Sequence, residues 1–289
     1  MLDRGYDVRL LTRGSGDWRE SNLGQYRKLG IKVTVGPFED DEVLMRAMVD
    51  VTAIVNLSGS FRVKWQKRDS TFEYVNFELV EKLLALAEEF EVQRYVQVSC
   101  LGARDESPSD YLRTKWEGDE LVRKSNLYWT IFRPSYLFGE RFPIMETIKP
   151  LVTFKPFLPV VGSGLNVVEP VHVLEVANAI VDSIYMKESV GKIVDLVGPF
   201  KYSFIDLLQE VREALELSDK VMTIPSQLSG KVFDMVSRGL PKNTIDLELA
   251  QILIADSTGS KEPGKTLFGP TKVPLHDCLP TIAESLLAK

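Results

Sequence analysis

A chain of 289 residues, 44% hydrophobic and 26% charged, has the make-up of a globular protein with a full core, which excludes disorder. Thirty-five Lys and Arg against 41 Asp and Glu leave a formal charge of −6, which argues against a general attraction to nucleic acid or anionic membrane. Two widely separated cysteines, Cys100 and Cys278, and two histidines argue against a disulfide framework or a metal site, and the most apolar stretch, Met145 to Val161, is broken by Glu146, Lys149, Lys155 and three prolines, too often for a membrane-spanning helix.

In chain order, Asp7 to Thr12 reads as a strand, Asn22 to Leu29 as a short helix, Lys32 to Val35 as a strand and Asp41 to Val49 as a helix. Ala53 to Leu57 is the next strand, and Tyr74 to Phe90 a helix with Val75, Leu79, Leu83 and Leu86 on one face. Arg94 to Ser99 is a strand, Ser109 to Ser125 a helix with a charged outer face, and Trp129 to Arg133 a strand. Beyond Gly139 the rhythm breaks and prolines crowd the chain. Val171 to Met186 still reads as a helix, Ile193 to Val197 as a strand and Tyr202 to Leu215 as an amphipathic segment, while Ile224 to Lys289 mixes helix with Gly and Pro loops. The alternation predicts an α/β protein: a Rossmann-like doubly wound parallel sheet, helices on both faces, with a small C-terminal cap region. Met1 to Arg13 reads as the last turn of a helix, a stop at Gly5 and the second strand of that fold, so the first strand and its glycine-rich loop are expected to be missing and the start truncated. Gly14 and Gly16 lack the G-x-G-x-x-G spacing and read as a turn, and Lys64 to Arg68, with Trp65 inside, as a solvated basic loop.

The sharpest motif is Tyr111-x-x-x-Lys115, which stacks a phenol and an ammonium on one helix face. A lysine beside a phenol stabilises the phenolate, so the pair suits proton exchange with a carbonyl or hydroxyl. Around it, in order, stand Leu11-Thr12-Arg13, Asn56-Leu57-Ser58-Gly59, Val75-Asn76, Val98-Ser99-Cys100-Leu101-Gly102-Ala103, Trp116-Glu117-Gly118, Arg133-Pro134-Ser135 with Phe138-Gly139, and Val171-His172-Val173. This succession resembles an atypical extended short-chain dehydrogenase/reductase, NAD(P)-dependent epimerase/dehydratase-like, and within that group the relatives of the nucleotide-binding accessory subunit of respiratory complex I. It covers roughly the first two-thirds of the chain.

The resemblance implies Tyr111 as general acid/base and Lys115 as the residue that binds the nicotinamide ribose and tunes it, with Ser99 completing the catalytic set or, in another alignment, Cys100 taking its place. Leu57, Ser58 and Gly59 are expected on the ribose and pyrophosphate side, and Pro134 and Ser135 at the nicotinamide end. Asn76, grouped with the cofactor residues, falls on a position with a structural or proton-relay role. An arginine ending the second strand pairs with a 2′-phosphate, so Arg13 favours NADP over NAD, and Phe38, after Pro37, packs near the adenine or in the core. His172 is expected to be structural, His276 to lie at the surface, and Phe142 to Val161 to wall a pocket, make an interface or pack as a lid.

Residues 1–139 plus about 168–200 are then expected to form the NAD(P)-binding domain, and about 140–167 and 201–289 the cap, facing a substrate or a partner. The function implied is an NADP-dependent oxidoreductase or epimerase acting on a small carbonyl or hydroxyl compound through Tyr111 and Lys115. The alternative is a non-catalytic nucleotide-binding accessory subunit or assembly factor of a respiratory-type complex, attached peripherally. No nucleic-acid partner is expected, and the compartment implied is bacterial cytoplasm, or a mitochondrial matrix or other organelle interior.

Overall fold

The computed structural model describes residues 1–13, 17–59, 71–218, 220–224 and 247–287. A 3-10 turn, Leu2–Arg4, stops at Gly5, whose φ of 79° suits glycine, and the chain enters β1 (Arg9–Thr12). Then follow α1 (Asp17–Lys28), β2 (Lys32–Val35), α2 (Asp41–Met48) and β3 (Ala53–Asn56). A π-helical turn, Tyr74–Glu78, runs into α3 (Leu79–Glu89), and β4 (Arg94–Val98), α4 (Asp110–Lys124) and β5 (Tyr128–Pro134) complete the regular part. Beyond it lie β6 (Leu137–Phe138), α5 (Pro143–Thr147), α6 (Lys149–Val152), β7 (Leu158–Val161), β8 (Val167–Val168), β9 (Val171–His172) and α7 (Val173–Ser183). Then come β10 (Lys192–Leu196), β11 (Tyr202–Ser203), α8 (Phe204–Ala214), β12 (Val221–Ile224), α9 (Leu247–Leu253), α10 (Lys261–Phe268) and α11 (Leu279–Leu287).

The main sheet is parallel in the order β10-β5-β4-β3, and β1 and β2 form a separate parallel ladder with Arg9 opposite Lys32 and Thr12 opposite Val35. Among the described residues no ladder joins β1 to β3. Strand alternation sends Ile54, Tyr95 and Ile131 to one face, where Leu44, Leu79, Val80 and Leu83 of α2 and α3 cover them. Val55, Val96 and Phe132 go to the other, under Val176 and Ile180 of α7 and Leu267 and Phe268 of α10. Each such fully buried aliphatic contributes about 1.5–3 kcal/mol relative to exposure. Buried Arg94 at the start of β4 ties this layer to the loop after α7, donating to the carbonyls of Ser183 and Tyr128 and to Thr130 Oγ1.

The later segments build a second core from Phe142, Met145, Ile148, Leu158, Leu207, Val211, Leu253 and Ile282. Arg212, fully buried within it, donates to the carbonyls of Val152, Phe154 and Ser218 and so joins α6, α8 and the turn that follows.

Three elements differ from the pattern expected. Helix α1 starts at Asp17, five residues before the expected Asn22, because its mostly polar sequence offers little apolar periodicity to mark its beginning. The helix expected over Tyr74 to Phe90 opens as a π turn. Helix α10, in the region expected to be cap, lies against β10: Gly264 sits so near Asp195 that a Cβ would stand 2.7 Å from its carbonyl oxygen. The turn at Gly14 and Gly16 and the basic run Lys64 to Arg68 lie outside the described residues.

Candidate functional site

The carboxyl ends of β3, β4 and β5 open on one cavity of about 420 Å³, the place where an open parallel sheet holds its ligands. At the end of β3, Asn56 donates to Gln97 on β4 at 3.0 Å, while its own carbonyl accepts from Ser58 N at 3.0 Å. That side-chain-to-backbone bond fixes the turn Leu57-Ser58-Gly59 at the cavity edge. A Cβ at Gly59 would stand 3.1 Å from Lys115 Nζ, so glycine there leaves room for the ammonium and for a ligand over the strand end.

Helix α4 brings Tyr111 and Lys115 to the same cavity. Its N-cap is Ser109, whose hydroxyl accepts from Leu112 N at 3.2 Å. A second cap, the carboxylate of Glu248 in α9, accepts from Tyr111 N at 2.8 Å, from Asp110 N at 3.1 Å and from Ser109 Oγ at the same helix end. Further along, Gly118 lets the Asn76 carbonyl approach to 2.1 Å from where a Cβ would be, so α4 and the π turn pack backbone to backbone. Asp119, fully buried, receives Nε and Nη2 of Arg133 at 3.1 and 2.9 Å and thus ties α4 to β5.

Lys115 Nζ donates to the Ser58 carbonyl at 2.7 Å and the Val98 carbonyl at 3.1 Å, bridging the ends of β3 and β4. Burial lowers its pKa, opposed by Cys100 and Asp119. Tyr111 sits beside Cys100. Burial, then the Cys100 thiol and Tyr136, hold its phenol well above the ordinary value. The Cys100 thiol is pushed up to about 11, chiefly by burial, with Lys115 and the Tyr111 hydrogen bond pulling the other way. Ser99 also lines the cavity, but its hydroxyl lies towards Asp119 rather than within an ordinary hydrogen bond, helping to hold a carboxyl whose pKa burial raises. Cys100 stands beside the tyrosine.

Of the residues singled out in the sequence, Leu57, Ser58, Gly59, Ser99, Tyr111, Lys115, Pro134 and Ser135 all line this cavity. Arg13 and Phe38 lie outside its lining but pair with each other, the guanidinium 5.5 Å above the ring, and Tyr74 Oη donates to the Phe38 carbonyl at 2.6 Å to hold that loop. Asn76 is not brought to the cavity: it is buried at the α4 interface, donating to Thr114 Oγ1 at 3.0 Å, because the π turn points its amide into the helix pair. His172 precedes α7 with its ring edge-on to Phe138, and His276 is exposed beside Asp277. The stretch from Phe142 divides its duties, Pro143, Ile144 and Thr147 lining the cavity while Phe142, Met145 and Ile148 enter the second core.

A wall of the cavity that the sequence did not announce comes from the segment Glu248 to Ser257, which supplies Ile252, Ala255, Asp256 and Ser257. It is fastened at both ends, by Glu248 on α4 and by Ser135 Oγ donating to the Ser257 carbonyl at 3.0 Å. Between them Asn166 Nδ2 reaches the carbonyls of Leu253 and Ala255 at 3.0 and 3.1 Å. Only the acid at 248, a capping type, carries a sequence signal, and nothing local says which helix it caps.

The room left by Gly59 and the small residues around it, beside an ammonium able to donate to a ribose, fit a nicotinamide nucleotide at this strand edge.

A family model described as NAD(P)H-binding matches residues 1–149. The chain is 31% identical over 188 residues to the mitochondrial NADH dehydrogenase [ubiquinone] 1 alpha subcomplex subunit 9 of Arabidopsis thaliana, covering 64% of this chain and 46% of that protein. It is 23% identical over 230 residues to the photosystem II assembly factor Ycf39 of Cyanophora paradoxa, covering 78% and 66%. The chain spans about half the length of the first of these relatives. Its fold is that of DesIV, a dTDP-glucose 4,6-dehydratase from Streptomyces venezuelae solved with NAD and TYD bound, at a TM-score of 0.71, 20% identity and coverage of 98% and 88%. With a parallel sheet, a cavity at its carboxyl edge and a family match over the first 149 residues, the chain belongs to the NAD(P)H-binding family and shares the fold of that solved dehydratase.

Proposed function

We propose that the chain binds NADP(H) across the strand ends and acts as a nucleotide-binding accessory subunit or assembly factor of a respiratory-type complex, with little turnover of its own. The observation that carries this reading is the state of Tyr111: its neighbour is a high-pKa thiol, and the ammonium that would activate it is bound to two backbone carbonyls. A thiol is a weak donor and poor relay for a proton. The relatives point the same way, one named as a subunit of an NADH dehydrogenase and one as an assembly factor.

Leu57, Ser58 and Gly59 would bind the ribose and pyrophosphate side, Lys115 the nicotinamide ribose, and Pro134 and Ser135 the nicotinamide end. Arg13, stacked on Phe38, would receive the 2′-phosphate and Phe38 the adenine, which favours NADP over NAD. Residues 1–139 with about 168–200 hold the nucleotide, and about 140–167 and 201–289 face the partner, in bacterial cytoplasm or an organelle matrix. The test has two readouts on the wild-type protein: NADPH binding, and NADPH oxidation with a panel of small aldehydes and ketones. Binding without oxidation, together with co-migration with a high-mass respiratory assembly, supports the reading. Turnover above about 1 per second, within the ordinary enzyme range, contradicts it.

The second reading, an NADP-dependent oxidoreductase or epimerase, is favoured by Tyr111, Lys115 and Ser99 lining one cavity. A reduced dinucleotide bound there would supply hydride to a carbonyl carbon, and Tyr111 would give the carbonyl oxygen its proton, so that an alcohol forms. Loss of all turnover in Tyr111→Phe, with NADPH binding intact, would establish it.

A further inference from the structure

We infer that the half of the cavity away from Leu57–Gly59 is a binding site for an uncharged, largely apolar molecule with one carbonyl or hydroxyl end, and not for a nucleotide sugar. The inference rests on the proposed placement of the dinucleotide at the β3 and β4 ends. Its wall is formed by Leu101, Leu112, Leu137, Ile144, Ile252 and Ala255. Several of the polar groups interleaved with them are bonded to the protein itself. Ser135 Oγ donates to the Ser257 carbonyl and meets Ser257 Oγ at 3.0 Å, Tyr136 Oη is directed at the Ile252 carbonyl at 3.4 Å, and Thr147 Oγ1 donates to the Pro143 carbonyl at 2.8 Å. What these side chains show the cavity is mostly carbon.

Among the described lining residues, charge does not favour an anionic occupant. Among the described lining residues the charged groups are Lys115 and Asp256 alone. The first is bound by the carbonyls of Ser58 and Val98, and the second, which accepts from Val167 N at 2.8 Å, would repel a diphosphate. In the half of the cavity away from Leu57–Gly59, a diphosphate would give up its water for a wall mostly of leucine and isoleucine, which returns little to a charged group. A ligand that is mostly hydrocarbon gains about 25 cal/mol for each Å² it buries there. Tyr111, at the inner end beside Cys100, gives such a molecule one polar contact for its oxygen.

The test titrates the protein, with and without NADPH, with decan-2-one and separately with UDP-glucose, followed by ligand-observed NMR. Two variants report on the site: Thr147→Arg, at a half-buried position of α5, and Ala255→Trp, which fills space; melting curves confirm that each is folded. The expected result is saturable binding of decan-2-one, weakened about tenfold or more by either folded variant, and no saturable binding of UDP-glucose to the wild type. Should decan-2-one fail to bind while UDP-glucose binds, or bind equally well to both variants, the inference is overturned. Ketone binding that depends on the two positions upholds it even if NADPH fails to bind, in which case the nucleotide reading alone falls. NADPH binding without ketone binding overturns the inference and leaves that reading standing.

Discussion

Glu248 is the residue through which the late part of the chain holds the helix carrying Tyr111 and Lys115. Its carboxylate accepts three hydrogen bonds at the start of α4, two from backbone N–H groups left without helical partners and one from the Ser109 hydroxyl. Bonds to a charged acceptor are worth about 1.5–3 kcal/mol each when buried, and a negative charge at a helix N-terminus adds about 0.3–1 kcal/mol. The group is half-buried and water can replace part of what is lost, so Glu248→Ala is expected to cost about 2–4 kcal/mol and Glu248→Gln, which keeps one acceptor oxygen, about 1 kcal/mol. At roughly 2–4 °C per kcal/mol for a chain of this size, the alanine variant should melt about 4–16 °C lower. Hydrogen exchange locates the loss: amides of Asp110 and Tyr111 and of the segment through Ser257 should exchange faster, while those of β4 and β5 stay protected. An alanine variant that melts within about 1 °C of wild type with unchanged exchange at Tyr111 would show that the clamp does not hold the helix.

Other substitutions separate further parts of the account. Gly118→Ala raises helix propensity by about 1 kcal/mol, yet its methyl would meet the Asn76 carbonyl, so a net loss of about 1–3 kcal/mol is expected on chemical denaturation; stabilisation would refute the close packing. Cys100→Ser puts a hydroxyl beside Tyr111, and any oxidation of NADPH by a carbonyl substrate should rise about tenfold or more in steady-state assays if the thiol is what blocks the relay. Cys100 has its thiol pKa raised from 9.0 to about 11, so between these values the folded chain holds a proton that the unfolded chain has released. That contribution is complete below pH 9 and falls away as pH rises to 11, by about 3 kcal/mol. Both thiols are half-buried, so with Cys100 held at about 11 iodoacetamide at pH 8 should modify Cys278 first, and equal rates would contradict the raised Cys100 pKa.

The period-2 and period-3.6 patterns in the first half carried most of the sheet. Val75, Leu79 and Leu83 do face the core, and Ser109 and Ser125 do bound α4. The Tyr111 and Lys115 pair, the Leu57–Gly59 turn and Pro134-Ser135 were legible because local spacing and strand ends place them together. Which of Ser99 and Cys100 meets the tyrosine was not, since β4 ends at Val98 and strand alternation no longer decides orientation beyond it. Nor was the π turn at Asn76, whose wider i→i+5 winding turns the amide away from the cavity and which packs closely on Gly118 across the interface. Glu248 and the wall from Ile252 to Ser257 come from a segment more than 100 residues away, and their contacts are set by tertiary packing that no local pattern encodes.

The central claim is that this strand edge holds NADP(H) through Lys115 and Arg13, and its most direct measurement is a fluorescence titration of the protein with NADPH and NADH, repeated on Lys115→Met and Arg13→Ala. The account predicts saturable NADPH binding tighter than NADH. Lys115→Met should weaken both nucleotides by about tenfold or more, and Arg13→Ala should weaken NADPH alone by a similar factor, leaving the two nearly equal. Binding that neither substitution alters, or no binding of either nucleotide, would contradict it.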